Sequence, residues 1–173
     1  MESVHLKTTR QPLYTVEERQ RRDRSRWTLV QGILAPVQFL VFAVSAVLVV
    51  RCLMTGEGYA AATVSILIKT LLLYTIMVTG AIWEKDVFGC YLFARPFFWE
   101  DMVSMLVIAL HTAYLGALVS GSLAAREQML LALAAYAAYV VNAAQFVYKL
   151  RVARLDQASA RPPPAGAPLG YAE

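Results

Sequence analysis

Glu100, Ser104, Val107 and His111 follow one another at offsets of four, seven and eleven residues, which is one stripe of an α-helix. Ser65, Lys69, Ile76 and Gly80 make a second stripe, with Glu84 within about 60° of it. Gln31, Gln38 and Ser45 recur every seven residues, and Asn142, Gln145 and Lys149 form a fourth polar line with Tyr139 beside it. Carboxyls, a lysine and an imidazole on helix faces are groups that move protons. A carboxylic acid set against apolar and aromatic walls keeps its proton closer to neutrality, because desolvation disfavours the charged form, and that is what a general acid requires. Neutral imidazole is also a metal ligand; one histidine among these stripes excludes a bis-histidine haem within the chain but satisfies an ion that needs a single axial ligand. Each residue has a plainer reading too. The glutamines and Ser45 serve as hydrogen-bonding glue between helices, His111 as a hydrogen-bonded core residue, and Trp27, Trp83 and Trp99 as interfacial belt residues. No P-loop, GxGxxG, HExxH or GxSxG occurs.

The elements that carry these stripes must lie in a membrane. The 173 residues are 58% hydrophobic and 16% charged, with a mean hydropathy of +0.51, which excludes a water-soluble core. Four segments reach the roughly 20 apolar residues a bilayer span needs, at about 29–50, 59–83, 98–120 and 128–150. The expected fold is all-α, an integral membrane four-helix bundle, with 1–28 a cytoplasmic N-terminal segment, 29–150 the transmembrane domain and 151–173 a cytoplasmic, largely disordered tail. Thirteen of the sixteen Lys and Arg fall on the N-terminal segment, the second loop and the C-terminal tail, so the positive-inside rule places both termini in the cytoplasm. The basic residues flank apolar spans, and a phospholipid surface rather than nucleic acid is the partner they fit. Glu17 to Arg26 reads either as an amphipathic surface helix or as solvated charge on anionic lipid. Cys52 and Cys90 fall on opposite membrane faces, lack a CxxC partner or metal spacing, and cannot bridge each other.

Depth follows from the helical rise. Lys69 lies about 21 Å from Trp83 and His111 about 18 Å from Trp99, so both sit near the bilayer middle. Glu84, Asp86, Glu100 and Asp101 gather at the cytoplasmic ends of the second and third spans. Together the stripes define a polar lane from the cytoplasm to mid-membrane.

The segments WTLVQGILAPVQFL from Trp27, TIMVTGAIWEK from Thr75, FFWEDMVSMLVIALHTAYL from Phe97 and AAYVVNAAQFVYKLR from Ala137 resemble the 3-vinyl (also called 2-vinyl) bacteriochlorophyllide hydratase family of photosynthetic bacteria. The likeness runs from about Leu13 to Leu155. It implies a multi-pass enzyme of the bacterial inner (intracytoplasmic) membrane that adds water to the C3 vinyl group of a chlorophyllide or bacteriochlorophyllide, giving a 1-hydroxyethyl group. No cofactor is implied; the partners are the pigment, membrane lipid and other enzymes of pigment synthesis. Site residues come from the stripes rather than from the resemblance. Glu100, assisted by Asp101 or Glu84, is the expected acid for the vinyl terminus. His111, Lys69, Gln38, Asn142, Trp99 and Trp83 are the expected substrate contacts, with His111 an axial ligand to the pigment's magnesium and no metal site belonging to the protein itself. Phe97, Phe98 and the tryptophans would stack on the ring, and Lys85 and Arg95 would meet its propionate. Two other classes fit the stripes: a non-catalytic pigment-binding or assembly factor, and a small proton-coupled transporter using Lys69 and a carboxylate as its relay.

Overall fold

Several of the helix ends in this chain are fixed by capping residues. In the computed structural model, which describes residues 13–159 and side chains to 156, Thr15 opens α1 (Val16–Arg24) with a capping box shared with Glu18. Ser25 ends α1 in an extended conformation, and its hydroxyl then accepts from the Trp27 N–H to begin α2 (Arg26–Thr55). Gly56, at φ 73°, closes α2 through an N–H to the Cys52 carbonyl, a left-handed position that a side chain would strain. Gly89 does the same for α3 (Tyr59–Phe88), and Gly121 for α4 (Phe98–Ser120). The Glu127 carboxylate accepts from the Ala124 N–H at the start of α5 (Ala125–Ser159).

The described residues are therefore all-helical, and four helices, α2, α3, α4 and Ala125–Asp156 of α5, are long and apolar enough to cross a membrane. α4 has the bounds expected for it, whereas the other three run past their apolar stretches; α3 continues five residues beyond Trp83, and α5 carries the first nine residues of the expected tail. Helical propagation costs little once the apolar face is docked, so the turns end at glycines and caps rather than where hydropathy falls. Of the two forms open to Glu17–Arg26, the structure has a helix, and it packs on α3. Residues 1–12 and 160–173, including most of the expected disordered tail, lie outside the described residues.

α2 packs along α3 and α4 along α5; the pairs meet through α2–α5 and more lightly through α3–α4. The outer surface is largely apolar, and polar side chains are buried alongside an apolar core. Leu29, Phe39, Leu40, Val44, Leu71, Val78 and Val119 face outward, while Lys69, Thr70, Glu84, Glu100, Asp101, Ser104, His111, Gln128 and Asn142 are buried. That arrangement suits lipid as solvent, where apolar side chains gain nothing by leaving the surface and hydrogen bonds between helices join them. Gln31 reaches Thr79 at 2.8 Å, Ser45 bonds Ser65 at 2.7 Å and Tyr136 at 2.5 Å, Tyr74 bonds Thr112 at 2.7 Å, and Tyr59 donates to Gln128 at 2.5 Å.

Candidate active site

The polar residues separate into three groups. The first lies at the α3–α4 loop end. Glu84, from the last turn of α3, accepts from the Ala94 N–H at 3.2 Å, and Asp101, from the first turn of α4, accepts from the Phe93 N–H at 2.7 Å. The two carboxyls lie within hydrogen-bonding reach of one another and are 5% and 3% exposed. A hydrogen bond between two carboxyl groups requires a proton on one of them, since the ionised group only accepts. The loop they hold includes Phe93 at φ 61°, the one described non-glycine residue in the left-handed region. Its strained backbone is fixed from both sides by side chains of the helices it joins.

Glu100, the neighbour of Asp101, points elsewhere. About 100° further round α4, its Oε1 meets Lys149 Nζ of α5 at 3.5 Å, and Lys149 also donates to the Pro96 carbonyl. Its other oxygen, Oε2, is buried without a partner in the protein. One turn deeper, Asn142 donates to Ser104 at 2.9 Å. The carboxyls expected to act together thus form two units, a carboxyl pair on α3 and α4 and an ion pair on α4 and α5. Asp86 is exposed and stands apart from both.

Deeper still, Lys69 is completely buried. With the Gln38 amide oriented to satisfy both neighbours, its oxygen accepts from Lys69 Nζ at 3.0 Å and its nitrogen donates to the Leu72 carbonyl at 3.0 Å. Lys69 Nζ also lies 3.5 Å from the centre of the Tyr139 ring. His111 is 1% exposed; its Nδ1 bonds the Val107 carbonyl at 2.8 Å. A carbonyl only accepts, so the ring proton is on Nδ1, and Nε2, which has no partner in the protein, carries the free lone pair. The imidazole packs beside Tyr136 at 5.9 Å. Complete burial walls His111 off from a large planar ligand unless the helices part.

The aromatic residues also divide. Tyr14, Trp83, Phe88, Phe97 and Phe146 form one cluster, with Tyr14 stacked on Phe88 at 5.8 Å and Phe97 on Phe146 at 6.2 Å. Trp83 belongs to this packing, its N–H donating to Thr28 Oγ1 at 2.9 Å. Burial pushes the Tyr14 phenol above its ordinary range, against the pull of Arg22, whose guanidinium lies 4.8 Å from the ring centre. Phe93, Phe98 and Trp99 form the other set, an exposed ridge with successive ring centres 5.7 and 5.5 Å apart. Exposed Lys85 and Arg95 belong to the same end of the molecule. Backbone N–H groups as the partners of Glu84 and Asp101, and the Pro96 carbonyl as the partner of Lys149, are contacts that no residue spacing announces.

Comparison with known proteins matches this sequence to one family. The family model described as 2-vinyl bacteriochlorophyllide hydratase (BCHF) matches residues 14–152. A protein of Rhodobacter capsulatus named 2-vinyl bacteriochlorophyllide hydratase is 71% identical over 151 residues, 87% of this chain and 88% of its own length. Its namesake from Cereibacter sphaeroides is 70% identical over 149 residues, 86% of this chain and 92% of the relative. No solved structure gives a significant match. The match spans α1 to α5 and every polar group described above, and the chain belongs to the 2-vinyl bacteriochlorophyllide hydratase family.

Proposed function

We propose that this chain is a hydro-lyase that adds water to the C3 vinyl group of a chlorophyllide or bacteriochlorophyllide, giving the 3-(1-hydroxyethyl) product in bacteriochlorophyll biosynthesis. The observation that carries the reading is the identity of 71% and 70% to two proteins of that name over most of their length. The experiment that tests it is incubation of the purified protein in detergent with a 3-vinyl chlorophyllide, following the absorbance change as the vinyl group leaves conjugation. Retained pigment binding without that change would favour a pigment-binding factor instead.

Hydrating a vinyl group takes a proton to its terminal carbon, leaving a cation at the carbon next to the macrocycle, which delocalises it. Water then bonds to that carbon and loses a proton. The chemistry needs a group holding a proton and a group able to take one. Glu84 and Asp101 are the donor in this reading, because two carboxyls in contact hold a proton between them. Glu100, ion-paired to Lys149 and adjacent to Asp101, is the acceptor for the proton of the added water. The geometry thus favours dividing the work between the carboxyls over giving the acid role to Glu100.

The exposed ridge of Phe93, Phe98 and Trp99 is the surface on which a flat apolar ring would stack from lipid, with Lys85 and Arg95 for its propionate. Trp83 supports that end from within. Lys69, Gln38, Asn142 and His111 lie below it as a positioning layer; His111 offers a free lone pair to the substrate's magnesium only in a conformation that opens its enclosure. The charge asymmetry supports a four-helix bundle in the bacterial inner membrane with both termini cytoplasmic, which puts the carboxyls at the cytoplasmic interface beside other enzymes of pigment synthesis.

A further inference from the structure

Besides the Tyr114 hydroxyl, four buried polar atoms among the described residues of α4 and α5 have no hydrogen-bond partner within the protein: Glu100 Oε2, Gln145 Oε1, Asn142 Oδ1 and His111 Nε2. All four are acceptors. Three lie on one seam. Glu100 faces Lys149 at 3.5 Å, Ser104 faces Asn142 at 2.9 Å, and Gln145 falls between these two rungs along α5. Glu100 and Asn142 are 5% and 7% exposed, so neither acceptor is served by bulk solvent. From Lys149 to Asn142 the helix climbs about 10 Å. Buried acceptors collected on a polar seam are the setting in which internal water is held, because water brings two donors and is small enough to fit between packed helices.

We propose that the α4–α5 seam holds a short file of water molecules running from Glu100 and Lys149 past Gln145 to Asn142 and Ser104, and that this file supplies the water added to the vinyl group. The destination of the water rests on the hydratase reading; its presence rests on the unpartnered acceptors. A water donating one hydrogen to Glu100 Oε2 and the other to Gln145 Oε1 keeps its lone pairs for the carbocation and already has its base in contact. As the new C–O bond forms, the proton bound toward Glu100 passes to that carboxylate, which balances the proton given up by the Glu84–Asp101 pair. Gln145 and Asn142 are then positioning residues, acting through the water. Leu73, Val107 and Tyr139 close the inner end, where Lys69 Nζ lies against the Tyr139 ring.

The test is X-ray radiolytic labelling of the full chain in oxygen-18 water, which marks side chains beside bound water even when they are buried, run together with turnover on a 3-vinyl chlorophyllide. Phe97 and Tyr139, 5% and 7% exposed at the two ends of the seam, should take up label, whereas Ile66, fully buried on α3 away from it, should not. Gln145→Leu and Asn142→Leu should lower labelling at both positions several-fold and reduce kcat at least tenfold with KM unchanged, and Gln145→Glu should restore much of the turnover. If the leucine variants do not fold, labelling of the unsubstituted chain decides. Phe97 and Tyr139 as inert as Ile66 in a protein that turns over would overturn the file and leave the hydratase reading standing. Labelled residues in a protein that binds the pigment but never hydrates it would overturn the destination of the water along with that reading.

Discussion

Glu100 and Asp101 are neighbours on one helix, yet their surroundings give them opposite chemistry. Asp101 lies within hydrogen-bonding reach of Glu84 under the α3–α4 loop, and Glu100 faces a lysine. Asp101→Asn and Glu84→Gln keep shape and the acceptor for the loop N–H groups while removing the acid, so each should lower turnover by about 10²- to 10⁴-fold with pigment binding retained. Steady-state kinetics beside a pigment-binding titration checks this; near-normal turnover in both variants would return the acid role to Glu100. Lys69 makes a separate case. It is fully buried against Gln38 and Tyr139 and meets no carboxylate among the described contacts. Replacing a lone buried amine by an apolar side chain of similar size removes its desolvation cost, against the loss of the donor to the Gln38 oxygen. Lys69→Met should therefore hold or raise the thermal midpoint in detergent; a large fall would mean that the ammonium organises the helices around it.

At the scale of elements, the spans were legible because about 20 consecutive apolar residues have few other readings, and the stripes because polar residues at helical spacing must share a face. Gln38 with Lys69, Ser104 with Asn142 and Ser45 with Ser65 are stripe residues that the packing does bring together. What spacing could not supply was the partner across the gap. Glu84 and Asp101 find backbone N–H groups of a loop whose course depends on Phe93 at positive φ, a conformation no side-chain pattern encodes. The docking of α1 was equally hidden: a polar, arginine-rich helix is anchored by the residues before it, Leu13 donating its N–H to Asp156 of α5 at 3.2 Å and Tyr14 filling the aromatic cluster. Two outcomes follow. Tyr14→Ala removes a buried aromatic ring and should destabilise the protein by about 3 kcal/mol or more, seen as a lowered thermal midpoint. Truncation after Ser159 should leave insertion and activity intact, whereas removing Asp156 as well should loosen α1, read as faster protease cleavage within Val16–Arg24.

For the whole molecule, the placement of the basic residues favours an orientation in which the α3–α4 loop and its carboxyls face the cytoplasm. Reporter fusions after residues 56, 90, 123 and 160 should report periplasm, cytoplasm, periplasm and cytoplasm in turn, as the asymmetry of thirteen basic residues against two requires; a periplasmic signal at 160 would invert the site. The reaction itself leaves an isotopic record that no binding protein or transporter can produce. The decisive measurement is mass spectrometry of the pigment after incubation of a 3-vinyl chlorophyllide with the purified protein, once in oxygen-18 water and once in deuterium oxide. Hydration predicts one oxygen-18 in the new hydroxyl and one carbon-bound deuterium in the new methyl group, both lost in Asp101→Asn; pigment recovered with its vinyl group intact and neither label, from protein that demonstrably binds it, would contradict the account.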